Sequence, residues 1–357
     1  MKKVARLSCF SLLLLGVSVL LVSPAIRADG GAAHQVPNTN FGVSGGNIND
    51  TSKRFCCSGT LGSLVTDGTK SYILSNNHVL ARGDQAAVGE DISQPGLIDN
   101  GCRVPPIVAD FTVAPLLGSN VDAAIAELRS GVMNTSGSIE DVGQPSNVVK
   151  APSVGLAVAK SGRTSGFTTA TIASINASIR VQYQQKCGQG KKFTVSYTNQ
   201  VIINSPTFSA GGDSGSLIVT DNSCHQPVAL LFAGSSTTTI GNPIGEVLTK
   251  VGTALGNTVS FVGPSCGSAT PLLQSGQIEG PAPEAVQFAT QAMAGRERDL
   301  MSRAGVIGVG IGSLDGSSAE AAIVIYIDQT LGITPRLPRS VNGVRVKVVY
   351  TEPFIAY

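Results

Sequence analysis

The sequence has 357 residues, of which 42% are hydrophobic and 13% charged, and its formal net charge is +2. A chain of this length and hydrophobic content can bury the cores of about two or three domains, which excludes an intrinsically disordered protein. The near-neutral charge argues against a nucleic-acid-binding protein, because such proteins usually cluster a basic excess.

Residues 1–28 have the pattern of a secretory signal peptide. A basic start precedes an apolar run over residues 9–22, and small residues at Ala25 and Ala28 follow that run. The run is shorter than the roughly 18 residues that cross a bilayer, so a cleaved leader fits better than an anchor. We therefore expect a protein that is secreted or periplasmic and has no membrane span.

Residues 29–55 are rich in Gly, Asn, Ser and Thr and lack an apolar period, which predicts a loose leader. Residues 56–263 contain short β-type segments separated by turn residues, a pattern typical of sandwiches and barrels. Apolar residues at helical spacing predict one helix over residues 243–255. The predicted strands of this region cover residues 59–65, 71–74, 104–113, 123–128, 157–160, 168–179, 192–197, 201–203, 216–219 and 228–233.

Residues 264–283 are rich in Pro, Gly and Ser, which predicts a linker. Beyond it, residues 284–357 are expected to form a small α+β accessory domain with one helix over 284–303 and three strands over 306–312, 321–328 and 344–350. The glycines in 305–312 also suggest a dinucleotide-binding loop, but their alternation with β-branched residues favours a strand.

The cysteines predict disulfides. Six remain without Cys9, and an even number in an exported chain suggests up to three bridges, although six cysteines allow 15 pairings. A zinc site is the alternative interpretation, and the sequence lacks the paired Cys-x-x-Cys or His-x-x-x-His spacings that favour one. We expect neither a metal nor a cofactor. The six cysteines are Cys56, Cys57, Cys102, Cys187, Cys224 and Cys266.

Ser214 lies in the run Gly212-Asp213-Ser214-Gly215, between two predicted strands. Flanking glycines permit a tight turn whose backbone N–H groups can face a developing oxyanion. A serine nucleophile needs a positioned base, and the base needs an orienting carboxylate. His78 and Asp122 can supply them, with Asp110 as a second candidate for the carboxylate. Each motif alone could be structural, and their combination is what indicates catalysis.

The order His78, Asp122, Ser214 resembles that of the chymotrypsin/trypsin-like serine protease family over residues 55–263. The similar stretches are Asn77-His78-Val79, Asp122-Ala123-Ala124-Ile125, Gly212-Asp213-Ser214-Gly215, and the segments 59–65 and 160–166. The resemblance implies a mainly β protein with two six-stranded antiparallel β-barrels and the site between them.

The same resemblance implies a role for each site residue. Ser214 would be the nucleophile, His78 the general base and acid, and Asp122 the group that orients the imidazole. The backbone N–H groups of Gly212 and Ser214 would form the oxyanion hole. Asp213 is expected to shape the turn.

The resemblance also places the substrate pocket. Phe208, six residues before the serine, and Ala233, Gly234 and Ser235 would line it. Because these residues are uncharged, we expect a preference for an apolar or small side chain. No activating cleavage site is apparent near residues 57–62, which favours a cleft that needs no maturation.

The sequence therefore predicts a secreted serine endopeptidase that hydrolyses protein or peptide substrates through an acyl-enzyme. The alternative is a catalytically silent binding or scaffold protein. An esterase of the α/β-hydrolase type is disfavoured, because its serine precedes the acid and the histidine in the chain. The C-terminal domain is expected to bind a partner, to contact and inhibit the cleft, or only to support the fold.

Overall fold

The computed structural model describes residues 34–266, 280–315 and 319–357. The signal peptide predicted for residues 1–28, and residues 267–279 of the predicted linker, lie outside the described residues. The described chain is mainly β, with two β-sheet units and a small C-terminal α+β part, so the fold class predicted from the sequence is confirmed.

The helices are α1 (Asn77–Leu80), α2 (Ile244–Leu255), α3 (Pro283–Met293) and α4 (Glu297–Met301). The strands are β1 (Val43–Asn47), β2 (Gly59–Leu61), β3 (Ser63–Thr66), β4 (Ser71–Ser75), β5 (Asp91–Ser93), β6 (Ile107–Val113), β7 (Ala124–Leu128), β8 (Ala157–Gly162), β9 (Gly166–Thr171), β10 (Ser174–Lys186), β11 (Gln189–Asn204), β12 (Leu217–Thr220), β13 (Pro227–Gly234), β14 (Thr238–Pro243), β15 (Ser260–Phe261), β16 (Val306–Ser313), β17 (Ala321–Asp328), β18 (Ser340–Val341), β19 (Val344–Thr351) and β20 (Phe354–Ala356).

The first sheet has the order β15-β3-β4-β7-β6-β5-β1-β2. Its core is formed by fully buried side chains such as Leu74 and Ile125, which are paired across β4 and β7. Strand β1 lies within the predicted loose leader, yet it is buried and pairs with both β2 and β5. This part of the predicted leader is therefore a strand that supplies β2 and β5 with hydrogen-bond partners.

The second sheet runs in the order β18-β19-β17-β16-β10-β11-β14-β13-β12-β8-β9. Its longest elements are β10 and β11, which form one hairpin that the sequence predicts only as separate shorter strands. Strand β20 pairs with both β10 and β13, so that β10, β11, β14, β13 and β20 form a closed ring.

The C-terminal part joins this second sheet through β16, which pairs antiparallel with β10. The Gly-rich segment is thus a strand. The helix predicted over 284–303 is instead two helices, because Gly295 adopts a left-handed φ of 77° between α3 and α4. Both helices cover the apolar face of β16 and β17.

Three disulfides are present, Cys56–Cys102, Cys57–Cys187 and Cys224–Cys266. They use all six of the cysteines that the sequence assigns to the exported chain. Within the described residues, no helix combines the length and apolar character that a bilayer crossing requires.

Candidate active site

His78 and Asp122 meet because their strands are neighbours. His78 lies on α1, directly after β4, and Asp122 lies just before β7, while Ser75 of β4 is paired with Ala124 of β7. The Nδ1 atom of His78 lies 2.6 Å from Asp122 Oδ2, and the His78 backbone N–H donates to Asp122 Oδ1 at 3.1 Å.

The electrostatic surroundings favour the charged form of His78. Burial of the ring lowers its pKa, but the Asp122 carboxylate and the backbone oxygen of Tyr357 outweigh that effect, and the pKa is raised above its ordinary value. Such a ring accepts a proton readily while its Nδ1 stays bonded to the carboxylate.

Asp122 is fully buried and has further donors. The Tyr183 hydroxyl donates to Asp122 Oδ2 at 2.8 Å, and the Tyr197 hydroxyl lies 2.6 Å from that of Tyr183. Both tyrosines lie on the β10–β11 hairpin. Sequence reasoning missed them, since no local motif indicates that this hairpin reaches a carboxylate of the first sheet.

Ser214 lies on the turn that precedes β12. The glycines on either side, Gly212 and Gly215, have φ values of 99° and 96°, which other residues rarely adopt. Within the described residues, the backbone N–H groups of Gly212 and Ser214 donate to no protein acceptor. Two free donors on one tight turn can bind a developing negative charge.

Asp213 fixes this turn from inside the protein. Its carboxylate accepts hydrogen bonds from the backbone N–H groups of Thr164 at 2.8 Å and Ala210 at 2.9 Å. The Lys160 ammonium lies 3.4 Å away, fully buried, and burial lowers its pKa while Asp213 opposes that shift. An internal lysine thus provides the counter-charge that the buried carboxylate needs.

The Ser214 turn is held against the first sheet. Thr60 donates its backbone N–H to the Ser214 carbonyl at 2.8 Å. A side chain on Gly59 would lie 2.6 Å from Val79, the residue after His78, and 2.9 Å from the Ser214 carbonyl. The Ser214 turn and the helix that carries His78 therefore both pack closely against Gly59.

Ser214 and His78 are each hydrogen-bonded to another group. The Ser214 hydroxyl donates to the Phe232 carbonyl at 3.2 Å. His78 Nε2 lies 2.9 Å from the backbone oxygen of Tyr357. No hydrogen bond joins the two side chains to each other, although both belong to the described residues.

Asp110, the second candidate carboxylate, lies apart from this cluster. It is on β6 at the surface, where it forms an ion pair with Arg129 at 2.6 Å. Asp122 is the carboxylate that contacts His78.

The predicted pocket residues divide into two groups. Ala233 and Gly234 pair with Ala356 and Ile355 of β20, and the Ser235 carbonyl accepts a hydrogen bond from Tyr357. Phe208 is fully buried in the core of the second sheet, with Lys160 Nζ 5.9 Å from its ring centroid.

A cavity of about 560 Å³ is lined by His78 together with Ala356 and Tyr357. Tyr183, Phe193 and the Cys57–Cys187 disulfide line it. Asp50 lies in its wall, where burial raises the pKa of the carboxyl to about 6 against the attraction of His78 and Arg82.

Comparison with protein-family models and with curated proteins finds no match. Among solved structures, the chain is similar to bacterial chymotrypsin/trypsin-like serine proteases. One is a glutamic acid specific serine protease, with 20% identity, a TM-score of 0.43, and coverage of 62% of this chain and 98% of that chain. Another is Protease A of Thermobifida fusca, with 17% identity, a TM-score of 0.42, and coverage of 63% and 98%. A third is the Nocardiopsis protease NAPase, with 17% identity, a TM-score of 0.40, and coverage of 62% and 98%.

Proposed function

We propose that this chain is a serine endopeptidase in which Ser214, His78 and Asp122 form the catalytic triad. The observation that carries the proposal is the orientation of His78. Asp122 holds the Nδ1 atom of His78, and the Nε2 atom faces the backbone oxygen of Tyr357 at 2.9 Å. A histidine held in this way can exchange protons with a reacting peptide bond.

Catalysis requires the Ser214 side chain to rotate toward His78. The Ser214 hydroxyl leaves the Phe232 carbonyl by turning about its side-chain bond. It donates to His78 Nε2 once the backbone oxygen of Tyr357 has moved away from that atom. His78 then takes the hydroxyl proton while the serine oxygen attacks the substrate carbonyl. The proton passes to the leaving amine, an acyl-enzyme remains, and water completes hydrolysis through the same histidine.

The free N–H groups of Gly212 and Ser214 support the role of oxyanion hole. Because the turn is fixed by Asp213, its donors need little reorganisation when the carbonyl oxygen becomes negative. Removing one such donor usually slows turnover by about 100- to 1000-fold.

The proposal includes an internal contact between the C-terminal segment and the cleft, which would limit access to Ser214. The hydrogen bond between His78 and Tyr357 and the pairing of β20 with β13 support it.

The proposal also includes export by the predicted signal peptide. The three disulfides support export because such bonds persist in oxidising compartments.

Covalent labelling with a fluorophosphonate, read by mass spectrometry, tests the triad. We expect label on Ser214 and none in Ser214→Ala. Asp122→Asn should slow labelling by about 100-fold or more, because the imidazole loses its orienting charge. Asp110→Asn is the matched control, since Asp110 is an exposed carboxylate that does not touch His78, and it should label at the unchanged rate.

The experiment is repeated on a chain that ends at residue 355, so that an occupied cleft is not mistaken for an inert serine. If this shortened chain is folded by circular dichroism and neither form is labelled, the triad is not active. The protein would then be a binding or scaffold protein.

A further inference from the structure

Strand β20 enters the cleft as a bound peptide would. It runs antiparallel to β13, with Ala356 opposite Ala233 and Ile355 opposite Gly234, and parallel to β10 on its other side. Addition of an extended segment to strand edges is a common mode of peptide recognition, in which backbone hydrogen bonds supply affinity and side-chain pockets supply selectivity.

Tyr357 follows this strand and lies at the reacting groups. Its backbone N–H donates to the Phe232 carbonyl at 3.4 Å, and its backbone oxygen lies 2.9 Å from His78 Nε2. The carbonyl of Tyr357 is thus the one that faces the proposed base, and the residues before it extend along β13.

The side chain of Tyr357 occupies a pocket of its own. Its hydroxyl donates to the Ser235 carbonyl at 2.8 Å. The Ser209 side chain lowers the pKa of this hydroxyl against the larger effect of burial. Its ring packs against the apolar core that contains Phe208. Burial of the hydroxyl raises the pKa of Tyr357 to about 12, so it stays a neutral donor.

The absence of a side chain at Gly234 shapes this pocket. A Cβ there would lie 2.3 Å from the Tyr357 hydroxyl, so only glycine leaves room for a ring of this length. The pocket therefore combines an apolar wall with polar groups at the depth of a phenolic oxygen, which is the chemistry that distinguishes tyrosine from phenylalanine and from small residues.

We propose that the cleft beside His78 selects peptides with tyrosine on the acyl side of the reacting bond, and that residues 354–357 are its internal occupant. The cleavage part rests on the proposed function, whereas the binding part does not. A free peptide and the internal segment compete for one site, so release of the segment must precede substrate binding.

Peptide binding without turnover tests this site. The protein is Ser214→Ala, made both with the full C-terminus and with the chain ending at residue 353, which removes the whole internal occupant. The probe is the peptide Phe-Ile-Ala-Tyr carrying an N-terminal fluorophore, followed by fluorescence anisotropy. We expect binding to the shortened chain to be at least about tenfold tighter than to the full chain, because the internal occupant competes.

A second experiment measures selectivity by comparing the affinities of the shortened protein for peptides that end in Tyr, Phe, Ala or Lys. The tyrosine peptide should bind about tenfold tighter than those with Ala or Lys, since it alone fills the pocket and satisfies its polar groups. Ser209→Ala should reduce the preference for Tyr over Phe. Ile355→Ala in the full chain is the matched control, because the Ile355 side chain is 46% exposed and its loss leaves the pocket occupied.

Equal affinity for the peptides, or equal binding to the full and shortened chains, would overturn the inference. If the shortened chain does not fold, the chain ending at residue 355 replaces it, because Phe354 then keeps its place in the core. The peptides are then shortened to their last two residues, which match the two residues removed. Binding that is selective in a protein that no fluorophosphonate labels would support this site and reject the peptidase. Fluorophosphonate labelling of a protein that binds all the peptides equally would support the peptidase and overturn this site.

Discussion

Asp122 bears a negative charge at a position with no exposed surface, so its oxygen atoms depend on protein donors. His78 supplies two, through its backbone N–H and its ring, and Tyr183 supplies a third. The tyrosine hydroxyl thereby offsets part of the charge that would otherwise act on the imidazole alone. We interpret Tyr183 as a positioning residue, since it acts on the reaction through Asp122.

The variant Tyr183→Phe should lower kcat by about tenfold and leave KM nearly unchanged, because a hydrogen bond to a buried charge contributes about 1.5–3 kcal/mol. Without that donor, Asp122 holds the imidazolium more strongly, so the pKa of His78 rises further and the acid limb of the pH–rate profile moves to higher pH. Steady-state kinetics on a tyrosyl peptide across pH measure both effects.

Tyr197→Phe is the matched control. It removes a neighbouring phenol that bonds to Tyr183 but not to Asp122, so the acid limb should stay in place. An unchanged acid limb in Tyr183→Phe would mean that Tyr183 only fills space.

At the scale of elements, the β10–β11 hairpin determines the shape of the cleft. It carries Tyr183 to Asp122, and its tip is attached to the first sheet by the Cys57–Cys187 disulfide. The bridge links positions 130 residues apart, so it restricts the unfolded chain strongly while it holds the hairpin over His78.

Removing this bridge with Cys57→Ser and Cys187→Ser should lower kcat/KM and reduce the free energy of unfolding by about 2–5 kcal/mol. Removing Cys224–Cys266 is the control, because that bridge does not line the cavity beside His78. The control should lose stability but keep kcat/KM at a temperature where both proteins are folded. A loss of kcat/KM in both proteins would argue against a specific role for the hairpin.

The predictable part of the site is the part encoded by local patterns. Apolar runs predict the strands before His78 and after Asp122, and the glycines beside Ser214 predict its turn. The contact between Tyr183 and Asp122 joins residues 61 apart, on different sheets, and depends on the length of a hairpin that the pattern divides into pieces. The position of Tyr357 depends in the same way on the order of strands in a sheet, which no spacing encodes.

At the scale of the molecule, the C-terminal part is continuous with the second sheet. Strand β16 covers one edge of β10, and Val324, Tyr326 and Phe354 share a buried core with Ile179 and Phe232. The proposed contact with the cleft and the packing on the second sheet involve different residues of this part, so deletions of different length can test them separately.

Removing residues 280–357 should lower the melting temperature and increase binding of a hydrophobic dye, because an edge of β10 and its apolar core lose their cover. Ending the chain at residue 355 should leave the melting temperature nearly unchanged, since Phe354 stays in place. Thermal unfolding of the two proteins beside the full chain measures this. An unchanged melting temperature in the longer deletion would show that the C-terminal part folds as an independent unit.

The place of β20 in the ring has a consequence for assembly. When the strand leaves, β10 and β13 each present a short unpaired edge, and the departed segment is itself an unpaired strand. We expect the released segment of one molecule to pair with the gap of another, a head-to-tail exchange that forms a ring or an open chain according to its geometry. We therefore expect release of the segment to cause concentration-dependent assembly, and an excess of tyrosyl peptide to reverse it by occupying each gap.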